Sequence, residues 1–320
     1  MACPVSANFT KYQQQRGASP VSTQHEKPSL DHSIAPAPPV QDEKKPFVAG
    51  VTPEEFHSPN WAPEEMRKVV REAILLAAGC TAILLQVANP GVGAGVNLHS
   101  NFAYYPIDRL RTTMTYVYCM SFGTPQEKEI IVDKVHRAHA PVQGPGYSAN
   151  NPELQLWVAA TMYATGIDIY EKLFGKFDQE TAEKIYRQFS IFAISLRVPP
   201  EMWPANRVAF WEYWDTMISQ LTVSPHASNI AKDLLWNKKG PLWMRANLPL
   251  IRLLTAEWLP PALRDAYGLK TSKLRRAIYI VLMESGKIMY PLLPLAIRCA
   301  PMKHYMQDMR KHMKSITAPA

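Results

Sequence analysis

The chain has 320 residues, of which 47% are hydrophobic and 19% charged, with a formal net charge of +8. That is enough apolar material for one substantial core, or at most two. The four cysteines (Cys3, Cys80, Cys119 and Cys299) lie far apart with no CxxC pair, which argues against a disulfide scaffold or a Cys-based zinc site and for a reducing compartment.

The first residues, MACPVSANFTKYQQQ, lack the apolar core of a signal peptide, so secretion is not expected. Up to about residue 50 the chain is rich in Pro, Ser, Gln and Ala, as in SIAPAPPVQDEKKP. Such a composition buries too little apolar surface to offset ordering, so residues 1–58 are expected to be a disordered leader. The character changes at SPNWAPEEMRKVVREAILL, where proline entry signals and first-turn acids precede a helical apolar repeat. The longest apolar run, AILLAAGCTAILLQVA at 73–88, is interrupted by Thr81 and Gln86 and is shorter than the ~20 residues needed to span a bilayer. It reads as a buried helix.

Helix-like segments then follow at 62–88, 106–122, 125–140, 152–174, 178–195, 201–222, 241–257, 272–290 and 302–314. Alternating strand patterns and fixed-period repeats are hard to find. The expectation is a single all-α domain over residues 59–315.

The stretch QVANPGVGAGVNLHS (86–100) has the look of a phosphate loop, but Gly91, Gly93 and Gly95 are followed by Val96 where a dinucleotide fingerprint needs glycine. No Gly-Lys-Ser/Thr follows either. Close packing of one backbone against another, after a break at Pro90, is the reading we prefer.

In YPIDRLRTTMTYVYCM (105–120), helical spacing gathers Ile107, Leu110, Met114 and Val117 into an apolar stripe. Arg109 and Thr113 share one flank, Arg111 takes the other, and Asp108 and Cys119 fall on the back. An arginine and a hydroxyl at a core boundary need a partner. A structural salt bridge would meet that need as well as a functional group would. In KEIIVDKVHRAHAPVQG (128–144), Ile131, Val132, Val135 and Ala138 form the expected buried face. His139 falls inside this arc and His136 at its edge, beside Glu129 and Asp133. An inward histidine stays neutral and able to ligate a metal, although hydrogen bonding alone also accounts for it. The two histidines could share a zinc, but no HExxH motif or third ligand is nearby. Trp157, Met162, Tyr170, Trp203, Phe210, Trp211 and Trp214 recur at helical spacing and are assigned to the core, with some available to line an apolar pocket.

Residues 264–314 hold eleven Lys/Arg against Asp265, Glu284 and Asp308. No nucleic-acid-binding motif accompanies them, so nucleic acid is not expected as a partner. A solvated basic face and peripheral contact with an anionic membrane both fit.

Taken together, LLQVANPGVGAGVNLHSNF, RLRTT, FGTPQE, VHRAHAPVQG and YSANNPELQLWV, with the C-terminal LPPALRDAYGL and LPLAIRCAP, resemble a particular catalytic domain. It is shared by fungal endoplasmic-reticulum-bound oxygenases of the mycophenolic acid type and bacterial latex-clearing rubber oxygenases. The resemblance covers about residues 60–310. It implies a globin-like helical domain holding heme b and acting with dioxygen on a lipophilic, often isoprenoid, small molecule. It also implies His139 as the axial metal ligand, with Arg109, Thr112 and Thr113 on the opposite side of the heme. In rubber oxygenases a lysine occupies the place of Thr112, and a threonine is too short to close the iron's sixth site. His99 and Asn101 are expected near the pocket mouth. Many relatives read AHP where this chain has Ala88-Asn89-Pro90, so Asn89 stands at a catalytic position with a group that does not titrate near neutral pH. Membrane-anchored fungal relatives carry a spanning helix at the N-terminus, where this chain has a polar leader.

Three other readings stay open on the residues alone: a heme-binding carrier or sensor without turnover, a cofactor-free terpenoid or polyketide cyclase using Arg109 and Asn89, and a zinc hydrolase using His136 and His139. Substrate, reductant and oligomeric state are not specified.

Overall fold

The computed structural model describes residues 49–100 and 106–317. Residues 1–48 of the expected leader, and Asn101, lie outside the described residues, whereas residues 49–58, expected in that leader, are built into the fold with Val51 and Phe56 buried. Helices make up most of what is described: α1 Pro53–His57, α2 Glu64–Val70, α3 Leu75–Val87, α4 Pro90–His99, α5 Pro106–Phe122 and α6 Pro125–His139. A two-residue hairpin, β1 Gln143–Gly144 and β2 Tyr147–Ser148, leads to α7 Pro152–Phe174, α8 Gln179–Phe189, α9 Ile191–Ile194, α10 Arg207–Gln220 and α11 Pro225–Leu235. The chain closes with α12 Leu242–Trp258, α13 Pro261–Ala266, α14 Lys273–Leu292, α15 Leu295–Arg298 and α16 Ala300–Thr317. The fold is all-α, as expected.

Five helices begin with proline directly after a capping side chain: Thr52-Pro53, Asn89-Pro90, Thr124-Pro125, Asn151-Pro152 and Ser224-Pro225. The cap accepts from an otherwise unpaired first-turn N–H, while proline supplies a helical φ and has no N–H to lose. At Thr52 and Thr124 a glutamate at the third helical position completes a capping box.

The segment 62–88, expected as one helix, is two. α2 and α3 meet at 94°. Between them the Glu72 carboxylate is buried and pairs with Arg298 (3.2 Å) and Arg71 (3.5 Å). Ala73 N–H donates to the Arg298 carbonyl at 2.8 Å rather than continuing a helical ladder. A buried carboxylate must be paired, and satisfying it turns the chain.

The core centres on α3 packed against α7. Trp157, in α7, is fully buried and donates its indole N–H to the Leu85 carbonyl at 3.1 Å. The Tyr267 hydroxyl donates to the Leu84 carbonyl at 2.6 Å. These two side chains engage carbonyls in the last turn of α3. Of the side chains assigned to the core, Trp157, Trp203, Phe210 and Trp214 are buried, and Met162, Tyr170 and Trp211 pack partly buried against them. Tyr163 joins this group edge-on to Phe210, with ring centroids 4.8 Å apart.

The glycine stretch is α4, a helix rather than a loop, and its glycines permit close approach. A Cβ on Gly93 would lie 2.5 Å from the Val87 carbonyl oxygen, and one on Gly91 would lie 3.0 Å from Leu154 Cδ1. Gly95 faces Val142 and Tyr147 of the hairpin region.

Candidate active site

The α6 helix starts at its Thr124 capping box and ends at His139. Its first half is held down by Lys128, which is only 2% exposed. The Lys128 ammonium lies 4.8 Å from the Trp61 ring centroid and 5.9 Å from that of Phe56, so its charge faces aromatic rings while its stem packs. The buried face therefore runs through Lys128, Ile131 and His136. This reverses the expectation for the two histidines. His136 is buried, His139 is half-buried, and Ala138, expected inside, is exposed. A pattern of apolar residues does not reveal a buried lysine. His139 shares the face of Lys128 and Val135 by spacing, but it sits in the last turn, where cover is thinner.

Both imidazoles hold a buried ring nitrogen without a hydrogen-bond partner: Nδ1 in His139 and Nε2 in His136. Desolvation holds His139 below the ordinary histidine range, and the charges of His136 and Arg109 add to it. Burial likewise lowers His136, reinforced by the Arg197 guanidinium; a hydrogen bond to the Ser195 backbone and the charge of Asp133 work the other way. Arg197 adopts a left-handed backbone (φ 66°), unusual for a residue with a side chain. It belongs to the short link after α9, where the Ser195 hydroxyl lies 2.8 Å from that of Tyr116. Neither Arg197 nor Tyr116 stands out in the sequence, because a left-handed backbone and a cross-chain hydroxyl pair leave no spacing pattern.

Arg109 lies two turns before Tyr116 on α5. Its residue surface is largely exposed, yet its guanidinium is desolvated enough to lower its pKa. Its charge also acts on His139, helping to hold that imidazole neutral. Thr113, one turn on, is exposed. The Thr112 hydroxyl donates back to the Asp108 and Arg109 carbonyls, 3.0 Å each. Arg111, on another side of the helix, bonds Asp308 at 2.7 Å.

The apolar stripe expected on α5 is corrected here. Ile107 and Leu110 are exposed and Met114 and Val117 only half-buried, whereas Tyr116, Tyr118, Cys119 and Met120 are buried. Cys119, expected on the back, is in the core. The first turns of α5 lie at the rim and its last turns pass through the interior, so no single stripe describes it.

His99 and Asn89 occupy opposite ends of α4, about 15 Å apart at 1.5 Å per residue. The Asn89 side-chain oxygen accepts from Gly91 and Val92 N–H at 3.0 and 3.4 Å, so it caps the helix. His99 Nε2 lies 3.0 Å from the Tyr147 hydroxyl. Tyr147 ties the hairpin that follows His139 to α4. The hairpin itself is anchored by Val142 N–H on the His139 carbonyl at 2.9 Å. Thus His136 and Arg109 act electrostatically on His139, and Arg197 acts on His136; His99 joins the neighbouring hairpin, and Asn89 serves the helix start. Among the described residues no group of three or more His, Cys, Asp or Glu is placed to share a metal.

The chain belongs to the family described as "ER-bound oxygenase mpaB/B'/Rubber oxygenase, catalytic domain", matched over residues 66–285, and its all-helical fold agrees with that class. It is an oxygenase-type catalytic domain. It is similar to the uncharacterized protein Mb2261 of Mycobacterium bovis and the uncharacterized protein Rv2237 of Mycobacterium tuberculosis. Each is 32% identical over 242 residues, covering 71% of this chain and 93% of the relative. No solved structure matches the chain.

Proposed function

We propose that this protein is a heme b-dependent oxygenase that uses dioxygen to oxidise or cleave a lipophilic terpenoid or prenylated small molecule. The observation that carries the reading is His139, a half-buried imidazole at the end of α6 whose Nδ1 is buried without a partner and whose pKa is held low beside Arg109. The residues fit the group: a single neutral imidazole would suffice to hold heme iron, with no need of a multi-residue metal cluster. Heme b, when bound, supplies the activation of dioxygen.

The protein's own part is positioning and electrostatics. Neutrality leaves a lone pair on His139 available for ligation at neutral pH. Arg109, cationic and partly desolvated, donates hydrogen bonds to oxygen that gains negative charge during the reaction. Thr113, one turn away, orients a water or that oxygen. Thr112 stays turned to its own helix. Ile107 and Leu110, in the same first turns of α5 as Arg109, offer exposed alkyl surface for an isoprenoid chain.

The visible spectrum of the purified protein, as isolated and after dithionite, tests this beside His139→Ala. A Soret band that shifts on reduction and is lost in the variant is the expected result. A variant with full heme content would remove His139 as the ligand. No band, even after growth with heme precursor, would overturn the oxygenase reading in favour of a cofactor-free cyclase.

A further inference from the structure

We infer that the outer faces of α12 and α14 form a docking surface for an anionic lipid bilayer, entered to interfacial depth and not crossed. α14 is apolar on two opposite sides. Its inner side sets Tyr279 against Trp258 of α12, whose indole N–H donates to the Tyr279 hydroxyl at 3.2 Å, and brings Gly286 close to Leu173. Its outer side carries Leu274, Ile278, Val281, Ile288, Met289 and Leu292, all exposed; Val281 is 65% and Leu292 79% exposed. A helix apolar on two sides needs apolar surroundings on both of them. Beside it, α12 opens with Leu242 at 79% and Trp243 at 61% exposure. Scattered single apolar residues are ordinary on a surface; two packed helices that each expose several large apolar side chains mark an interaction site.

Charge selects the occupant. Residues 236–298 hold eleven Lys/Arg and three Asp/Glu, an excess equal to that of the whole chain. Of the three acids, Glu257 is buried and paired with Arg276, and Glu284 is paired with Lys287. Lys238, Lys239 and Arg245, all exposed, flank Leu242 and Trp243, while Lys270, Lys273 and Arg275 flank Leu274. Exposed tryptophan and leucine rimmed by lysine and arginine is the composition of an interfacial anchor, in which rings and alkyl chains enter the headgroup boundary and bases meet lipid phosphates. A second copy of the chain would set these bases against bases, which repel. Among the described residues no single helix is long and apolar enough to cross a membrane, so the surface lies on a bilayer.

Flotation of the full chain with phosphatidylcholine vesicles, with and without phosphatidylserine, tests the assignment. The protein is expected to float with the anionic vesicles, much less with the neutral ones, and to be released by high salt. Lys238→Gln with Lys273→Gln should weaken binding roughly 25-fold, at about fivefold per base. Leu242→Ser with Val281→Ser should abolish flotation while leaving the circular dichroism unchanged. These side chains are exposed, and the lysine pair supplies a second readout if the apolar pair folds poorly. No flotation with anionic vesicles, or variants that float like the parent, would overturn the proposal. So would a dimer in sedimentation that Val281→Glu dissociates while the parent ignores vesicles, since a second copy would then cover this face.

Discussion

The ends of α3 and α6 are finished in opposite ways. At the end of α3 the Leu84 and Leu85 carbonyls accept from Tyr267 and Trp157, and Thr222 N–H donates to the Ala88 carbonyl at 3.3 Å. At the end of α6, His136 and His139 each retain a buried ring nitrogen with no partner. The first arrangement locks a helix into the core. The second keeps polar atoms desolvated and unspent at the rim, a cost that stability alone does not favour and that a ligand would relieve.

Breaking the α3 end should cost most. Trp157→Ala removes a fully buried indole and its bond to Leu85, and is expected to lower unfolding free energy by about 3–5 kcal/mol in urea titrations. An effect no larger than that of an exposed substitution would show that α3–α7 packing is not the centre of stability. Gly93→Ala comes next: its Cβ would meet a backbone oxygen, which cannot rotate away, so a loss of about 1–3 kcal/mol should register as a lower melting temperature. Asn89→Ala leaves two first-turn N–H groups of α4 without their cap, at about 1 kcal/mol. If Asn89→Ala costs nothing in melting, its capping role fails.

The smallest effect belongs to the α6 end. The folded pKa values of His136 and His139 are lowered, so the folded state binds fewer protons than the unfolded one below the ordinary value of 6.5. Their contribution is fully present above that value and is lost as pH falls through the lowered ones. Unfolding midpoints of the apo protein at about pH 7.5 and 5.5 should therefore fall less for His139→Ala than for the parent, while at the higher pH the two should agree within about 0.5 kcal/mol. A variant as acid-sensitive as the parent would show that His139 does not titrate in this environment.

Much of the fold is legible where helix starts are written in local chemistry, as at the Thr124-Pro125 and Asn151-Pro152 caps of α6 and α7. The same signal at Thr52-Pro53 starts α1, inside the expected leader, and at Asn89-Pro90 starts α4, expected only as a packed break. The expected segments do not include α11, although Ser224-Pro225 carries the same start signal. The bend at Glu72 was not legible, since its cause, Arg298, is 226 residues away. The site was legible in part. His139, Arg109 and Thr113 stand out by spacing and resemblance. The order of burial along α6 does not, because it depends on aromatic rings in another segment that cover Lys128.

The Glu72–Arg298 pair also bears on the protein's birth. The turn that orients α2 against α3 is sealed by a side chain and a carbonyl near the far end of the chain. At about 5–20 residues per second of synthesis, the emerging first helices wait roughly 10–45 s for Arg298. During that interval Arg71 is the only one of the two arginine partners present, so the apolar α3 leaves the ribosome before its entry angle is set. Chaperone occupancy on nascent chains should be heaviest over this window and fall once residue 298 has emerged.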